Sequence, residues 1–153
     1  MTLRPSLWIT LFVLGLGTAG TTFAQEPQPP EVDAIQAVIS SQWTAFADND
    51  APKALSFAVP EIRQRFEDPE GFLLMVELRY PVVFHHVAYR FLAPRVGTYF
   101  SFQWVRMTDD QGSVWRVLYQ LHREMIDGPW LIGGVFEYPE ENAPNFLPDP
   151  QGA

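Results

Sequence analysis

The sequence predicts an α+β domain, with helices first and then a meandering antiparallel sheet packed over them. Three observations carry this. Apolar residues recur at helical spacing as far as Tyr80; from Val82 onward they recur with a period of two. The later runs are rich in Val, Tyr, Phe and Trp and are separated by Pro, Asp and Gly.

The first helix is read from Ile35, Val38, Ile39, Trp43 and Phe46, which form one stripe of an amphipathic helix. Asp48-Asn49-Asp50 stops it and supplies an N-cap for a short second helix that tolerates Pro52 in its first turn. Val59-Pro60 breaks that segment, and Ile62 and Phe66 mark another short helical turn. Asp68-Pro69 is a cap followed by a first-turn proline, so it starts a further helix, which Tyr80-Pro81 ends. Phe72, Met75, Val76 and Arg79 run down one side of that helix, while Leu73, Leu74 and Leu78 lie on others, so burial on more than one face is expected.

Four strands are expected at Phe84–Leu92, Thr98–Met107, Val114–Glu124 and Trp130–Phe136. Ala93-Pro94, Asp109 to Gly112 and Asp127-Gly128-Pro129 provide the turns between them. In the third strand Trp115, Val117, Tyr119 and Leu121 alternate with Arg116, Gln120 and His122, which gives one buried and one open face. The second strand carries Phe102 and Trp104 on one face and Val105 and Met107 on the other. Apolar residues on both faces need cover on both sides, and a homodimer through the sheet face is one way to supply it.

The ends read differently. Arg4, the apolar run Leu7–Leu16 and the small residues Thr22 and Ala24 make a secretory signal peptide over residues 1–24, cleaved near Ala24. The apolar run is about half of the ~20 residues that span a bilayer, so no membrane span is expected to remain after cleavage. The expected location is periplasmic or secreted. Residues 25–30 read as a proline-rich linker, 31–138 as the folded domain and 139–153 as a proline-rich, acidic, disordered tail.

The 153 residues include no cysteine, which excludes disulfides, thiolate metal sites and a cysteine nucleophile. With 10 Lys+Arg against 18 Asp+Glu and a formal charge of -8, nucleic acid is not an expected partner. An exported chain without disulfides must be held by burial, and aromatic residues make up 14% of it.

Several runs resemble one family. Trp43 to Phe46 with Asp50, Pro60 to Phe66, Phe72 to Val76 with Tyr80-Pro81, Asp109 to Gly112, Leu118 to Leu121 and Gly128 to Gly133 are similar, in order and spacing, to the DUF4864 family of exported bacterial domains. The resemblance covers about Ile35 to Val135. It implies the NTF2-like (cystatin-like) cone, N-terminal helices on a curved four-stranded meander, a fold whose relatives include isomerases, dehydratases and binding or assembly modules. The family is a domain of unknown function, so the resemblance implies no reaction.

No catalytic set stands out. The strand interiors contain no Asp or Glu, so a carboxylate site of the isomerase kind finds no residues there. His85 and His86 are adjacent in an expected strand and point to opposite faces; with no metal-type spacing elsewhere, neither a metal nor another cofactor is expected. His86 and His122 are the acid–base candidates because histidine titrates near neutral pH. Gly133-Gly134 inside a strand signals a bulge or a close backbone approach. Arg63 and Arg65 either bind an anion or pair with Glu61, Glu67 or Asp68.

The remaining candidate is a pocket lined by Trp43, Phe46, Tyr80, Tyr89, Trp104, Trp115 and Tyr119, rings that combine apolar area with polar handles. The expected function is non-catalytic binding of a small apolar or aromatic ligand, or of a protein partner. The alternatives are an isomerase, dehydratase or hydrolase using His86 or His122 with a tyrosine hydroxyl, and a structural dimerisation or envelope-assembly module.

Overall fold

The computed structural model describes residues 29–145. The expected signal peptide and most of the linker lie outside them, as does most of the expected tail. Among the described residues, no helix is long and apolar enough to cross a membrane.

Among the described residues, five helices precede the sheet: α1 Pro30–Ala47, α2 Ala51–Ser56, α3 Pro60–Arg63, α4 Pro69–Arg79 and α5 Pro81–His85. Each has proline in its first turn, where the missing N–H costs nothing. The end of α1 is set by Asn49, whose φ of 56° lies in the left-handed region that asparagine tolerates; the Asp50 N–H then bonds back to the Ala45 carbonyl at 2.8 Å. The same Asp50 caps α2 by accepting from the Lys53 N–H at 3.1 Å, and Asp68 caps α4 by accepting from Glu70 at 3.1 Å.

The strands are β1 Ala88–Phe91, β2 Arg95–Val96, β3 Phe100–Thr108, β4 Val114–His122 and β5 Leu131–Pro139. They form one antiparallel sheet in the order β1-β3-β4-β5, with β2 paired to β3 beside β1. The fold is therefore α+β, with helices packed against one face of an open five-stranded sheet, an arrangement consistent with the NTF2-like cone. The β3–β4 turn follows the expected chemistry: Gly112 has φ 84°, and Asp109 Oδ1 accepts from the Gln111 and Ser113 N–H groups.

On the inner face, Val105, Met107, Val117, Tyr119, Leu121 and Ile132 meet Ile35, Ile39, Trp43 and Phe46 of α1 in one buried core. Each such aliphatic side chain, when fully buried, contributes on the order of 1.5–3 kcal/mol. The outer face holds a smaller cluster of Phe102, Trp104 and Leu118, against which Leu92 and Tyr138 pack. Phe102 and Trp104 are 5% and 3% exposed within the single chain, so their burial does not need a second copy.

Four local expectations are corrected. Phe84 and His85 are helical, not extended, because Pro81 starts a new helix instead of only ending the old one. The Val83 N–H in the first turn of that helix finds an acceptor in Glu137 Oε1 at 3.0 Å, a partner far away in the chain that no local pattern reveals. A fifth strand, Arg95–Val96, was not expected; it is held by pairing with Phe102 and Ser101. Helix α4 buries Phe72, Leu73 and Val76 only, and Leu74 and Leu78 are exposed, because α4 packs chiefly on α2 and α5. Finally, the last strand passes its expected end at Phe136. Strand β5 runs to Pro139, and the 3₁₀ turn Glu140–Asn142 is anchored by a two-bond ion pair from Arg106 to Glu140.

A buried polar contact joins α1 to the sheet: Trp43 Nε1 donates to the Tyr119 hydroxyl at 2.8 Å. Burial pushes the Tyr119 hydroxyl well above the usual phenol range, so it stays neutral. Replacing Tyr119 with Phe leaves the indole N–H without its acceptor and is expected to cost about 1–3 kcal/mol. Urea unfolding of the two proteins measures this, and equal midpoints and slopes would show that the bond contributes nothing.

Candidate functional site

The helix-facing side of the sheet divides into a filled part and an open part. In the filled part, Trp43 is packed by Tyr89 at 4.7 Å, His86 at 4.9 Å, Phe91 at 5.6 Å and Tyr119 at 6.1 Å between ring centres. These rings occupy one another's space and leave no room for a ligand among them.

The open part lies under β5. A cavity of about 330 Å³ is enclosed by Gln42 and Phe46 of α1, by Ile62, Arg65 and Phe66, by Phe72, Met75 and Val76 of α4, and by Tyr80 and Val83. Its remaining wall is the strand itself from Ile132 to Val135, with Gly133 and Gly134 in the middle.

That wall exists because β5 bulges there. Gln120 pairs with Gly134 while Leu121 pairs with Ile132, so Gly133 is an extra residue. A Cβ on Gly133 would stand 2.9 Å from His122 Nε2, and one on Gly134 would stand 3.3 Å from Gln120 Oε1. Both missing side chains thus belong to the outer face, and the cavity sees main chain at these positions.

Polar groups at the cavity are few. Gln42 is buried, and its Nε2 donates to the Ala54 carbonyl at 3.1 Å, which fixes the amide. Among the described residues its Oε1 has no protein donor. Arg65, exposed at the surface, is the charged residue on the lining. The expected pairing of Arg63 and Arg65 is not found: among the described residues, neither lies within 4.0 Å of a carboxylate.

Of the seven rings expected to line a pocket, Phe46 and Tyr80 do so. Trp43, Tyr89 and Tyr119 belong to the filled cluster. Trp115 is half-buried, donates its Nε1 to Asp109 Oδ2 at 2.9 Å, and borders a separate shallow cleft with Arg79, Tyr80 and Glu137. That hydrogen bond holds the Asp109 carboxyl below the ordinary carboxylate range. Trp104 is on the opposite face, under the Arg116 guanidinium at 5.0 Å. Strand alternation places it there, since Val105 and Met107 take the inner positions.

The histidines do not converge on the cavity. His86 terminates α5, and its Nδ1 lies 2.9 Å from the Val83 carbonyl, which can only accept, so that nitrogen carries the proton. His122 is on the outer face, edge-on to Phe100, with its Nε2 buried and, among the described residues, without a partner. Burial lowers its pKa, opposed by the charge of Glu61. Acid–base chemistry in the cavity by His86 or His122 therefore lacks the geometry it requires. Among the described residues, no group of three or more His, Asp or Glu is arranged to hold a metal.

One group was missed. Glu137, expected only to flank a strand, lies within β5 and faces the helices. Burial pushes its pKa up, while hydrogen bonds from the Val83 and Val82 N–H groups pull it down. Strand alternation carried across a bulge at Gly133-Gly134 is the signal that places it there.

The profile of a family described as "Domain of unknown function (DUF4864)" matches residues 28–144. The chain belongs to the DUF4864 family. Among curated proteins none matches. Among solved structures the chain is similar to the solution structure of a SEC-C motif containing protein from Rhodopseudomonas palustris, at 17% identity and a TM-score of 0.47, over 65% of this chain and 75% of that one.

The site of this DUF4864 domain predicts a pH dependence. A carboxyl whose pKa is raised on folding favours the protonated state in the native protein. Its stabilising effect is present below the ordinary glutamate pKa and is lost as pH rises through the raised value. Wild-type stability should therefore fall over that interval, and Glu137→Gln should abolish that part of the profile. Chemical denaturation at a series of pH values checks it; parallel profiles for the two proteins would contradict the assignment.

Proposed function

We propose that this domain is exported and binds a small apolar or aromatic ligand in the cavity under β5, without catalysing a reaction. The observation that carries the reading is the cavity itself. Its volume of about 330 Å³ is at the lower end of the ~300–1,000 Å³ common for ligand sites, and its walls are mostly apolar. A fixed amide, one guanidinium and Tyr80 are the polar side chains on the lining, a pattern suited to orienting a ligand more than to transforming it. The absence of a histidine from the lining supports the non-catalytic reading, and the N-terminal pattern of basic residue, apolar run and small residues supports export.

Arg65 at the lining favours ligands with a negative or strongly accepting group at one end, and Gln42 Oε1 favours a donor. Indole and benzoate are suitable probes of these two preferences. A ligand that binds only the folded state raises its stability by about 2.7 kcal/mol at a hundredfold excess over Kd. The melting temperature should thus rise by several degrees with a ligand of this class. Ile62→Trp, which places a larger side chain at the cavity wall, should abolish the shift while leaving the unliganded protein folded. A broad screen of small aromatic and aliphatic compounds that produces no shift, together with native mass spectrometry that finds no co-purified molecule, would overturn the proposal.

A further inference from the structure

The outer face of the sheet carries three arginines in one transverse row. Arg90 of β1 pairs with Arg106 of β3, and Arg106 pairs with Arg116 of β4. Residues directly opposite in antiparallel strands share a face at about 4.5–5.5 Å between Cα atoms. Like charges placed this way are destabilising unless something neutralises them. The chain as a whole is acidic, at -8, so the row runs against the charge of the molecule that carries it.

Among the described residues, one carboxylate serves the row. Glu140 accepts from Arg106 Nε at 2.8 Å and from its terminal nitrogen at 3.0 Å, a two-bond fork. That hydrogen bond holds Glu140 below the ordinary carboxylate range, and the charges of Arg106, Arg116 and Arg90 act in the same direction, so all three guanidiniums are within electrostatic reach of this position. Among the described residues, Arg90 and Arg116 have no carboxylate within 4.0 Å. Arg116 lies over the Trp104 ring, and its Nε is buried without a partner.

We infer that Arg90, Arg106 and Arg116 form an anion site for a phosphate group on the outer face of the sheet, separate from the cavity under β5. Three guanidiniums against one carboxylate leave two positive charges, matching the charge of about −1.5 to −2 on a phosphate monoester at neutral pH. Guanidinium forks suit oxyanion geometry, and the Glu140 pair shows that Arg106 holds one in that way. Trp104 fixes the Arg116 plane from below, and Tyr138, next in the row on β5, adds a hydroxyl.

The same chemistry is offered by a soluble phosphate monoester and by a lipid with a monoester headgroup. Calorimetry with phenyl phosphate at fixed ionic strength tests the first. Co-sedimentation with vesicles of phosphatidic acid in phosphatidylcholine, against phosphatidylcholine alone, tests the second. Binding in either arm supports the site and identifies its source. Arg90→Gln, at an exposed position, should weaken that binding about tenfold, and Arg116→Gln should do the same. Because Arg116 also packs on Trp104, its variant is first compared with wild type by near-ultraviolet circular dichroism, and Arg90→Gln decides the matter if that spectrum changes. No binding in either arm at millimolar phosphate, or binding that Arg90→Gln leaves unaltered, overturns the inference.

Discussion

The extra residue at Gly133 is the constraint on which the rest of this structure depends. Side chains alternate along a strand, so inserting one residue exchanges the faces of everything that follows. Ile132 points inward against Leu121. Counting on without a bulge would turn Gly134 and Phe136 inward and Glu137 outward. With the bulge, Val135 and Glu137 face the helices, and Phe136 and Tyr138 face outward. A side chain at 133 would meet the His122 ring, 2.9 Å from the Cβ position, so any residue other than glycine requires that ring to move.

Three consequences follow from that phase. Glu137 reaches the first turn of α5 and accepts the Val83 N–H, which gives a five-residue helix a capping partner. Tyr138 comes to lie against Trp104, which completes the outer cluster and places the 3₁₀ turn so that Glu140 meets Arg106. Where two successive residues lack side chains, main chain borders the space under the helices, and the cavity opens there and not around Trp43. A single glycine thus connects the inner cavity with the arginine row on the opposite face.

Much of the fold was legible from local sequence. The stripe from Ile35 to Phe46, the caps Asp50 and Asp68, the alternation of Val117, Tyr119 and Leu121 and the Asp109 to Gly112 turn each depend on interactions within a few residues, and all are found. What could not be read depends on distant partners. Helix α5 is stabilised by a carboxylate from β5, and the burial of Trp104 by Tyr138 depends on the bulge. Gly133-Gly134 signals a bulge, but it is the pairing of β5 with β4 that turns Glu137 inward. The arginine row was equally hidden, since its members are neighbours only once strand register is known. The cavity falls between these cases: Phe46 and Tyr80 are legible as candidate pocket rings, while Gln42 on α1 and Arg65 in the turn after α3 read as ordinary packing and surface.

The most direct test of the bulge-dependent phase is the Val83 backbone amide, followed by two-dimensional NMR through an acid titration. With Glu137 facing the helices, the Val83 amide resonance should move with the protonation of that carboxyl, at a midpoint above the ordinary glutamate range, and the step should vanish in Glu137→Gln. A Val83 amide that stays constant through the titration of Glu137 would place that carboxylate on the other face and contradict the account.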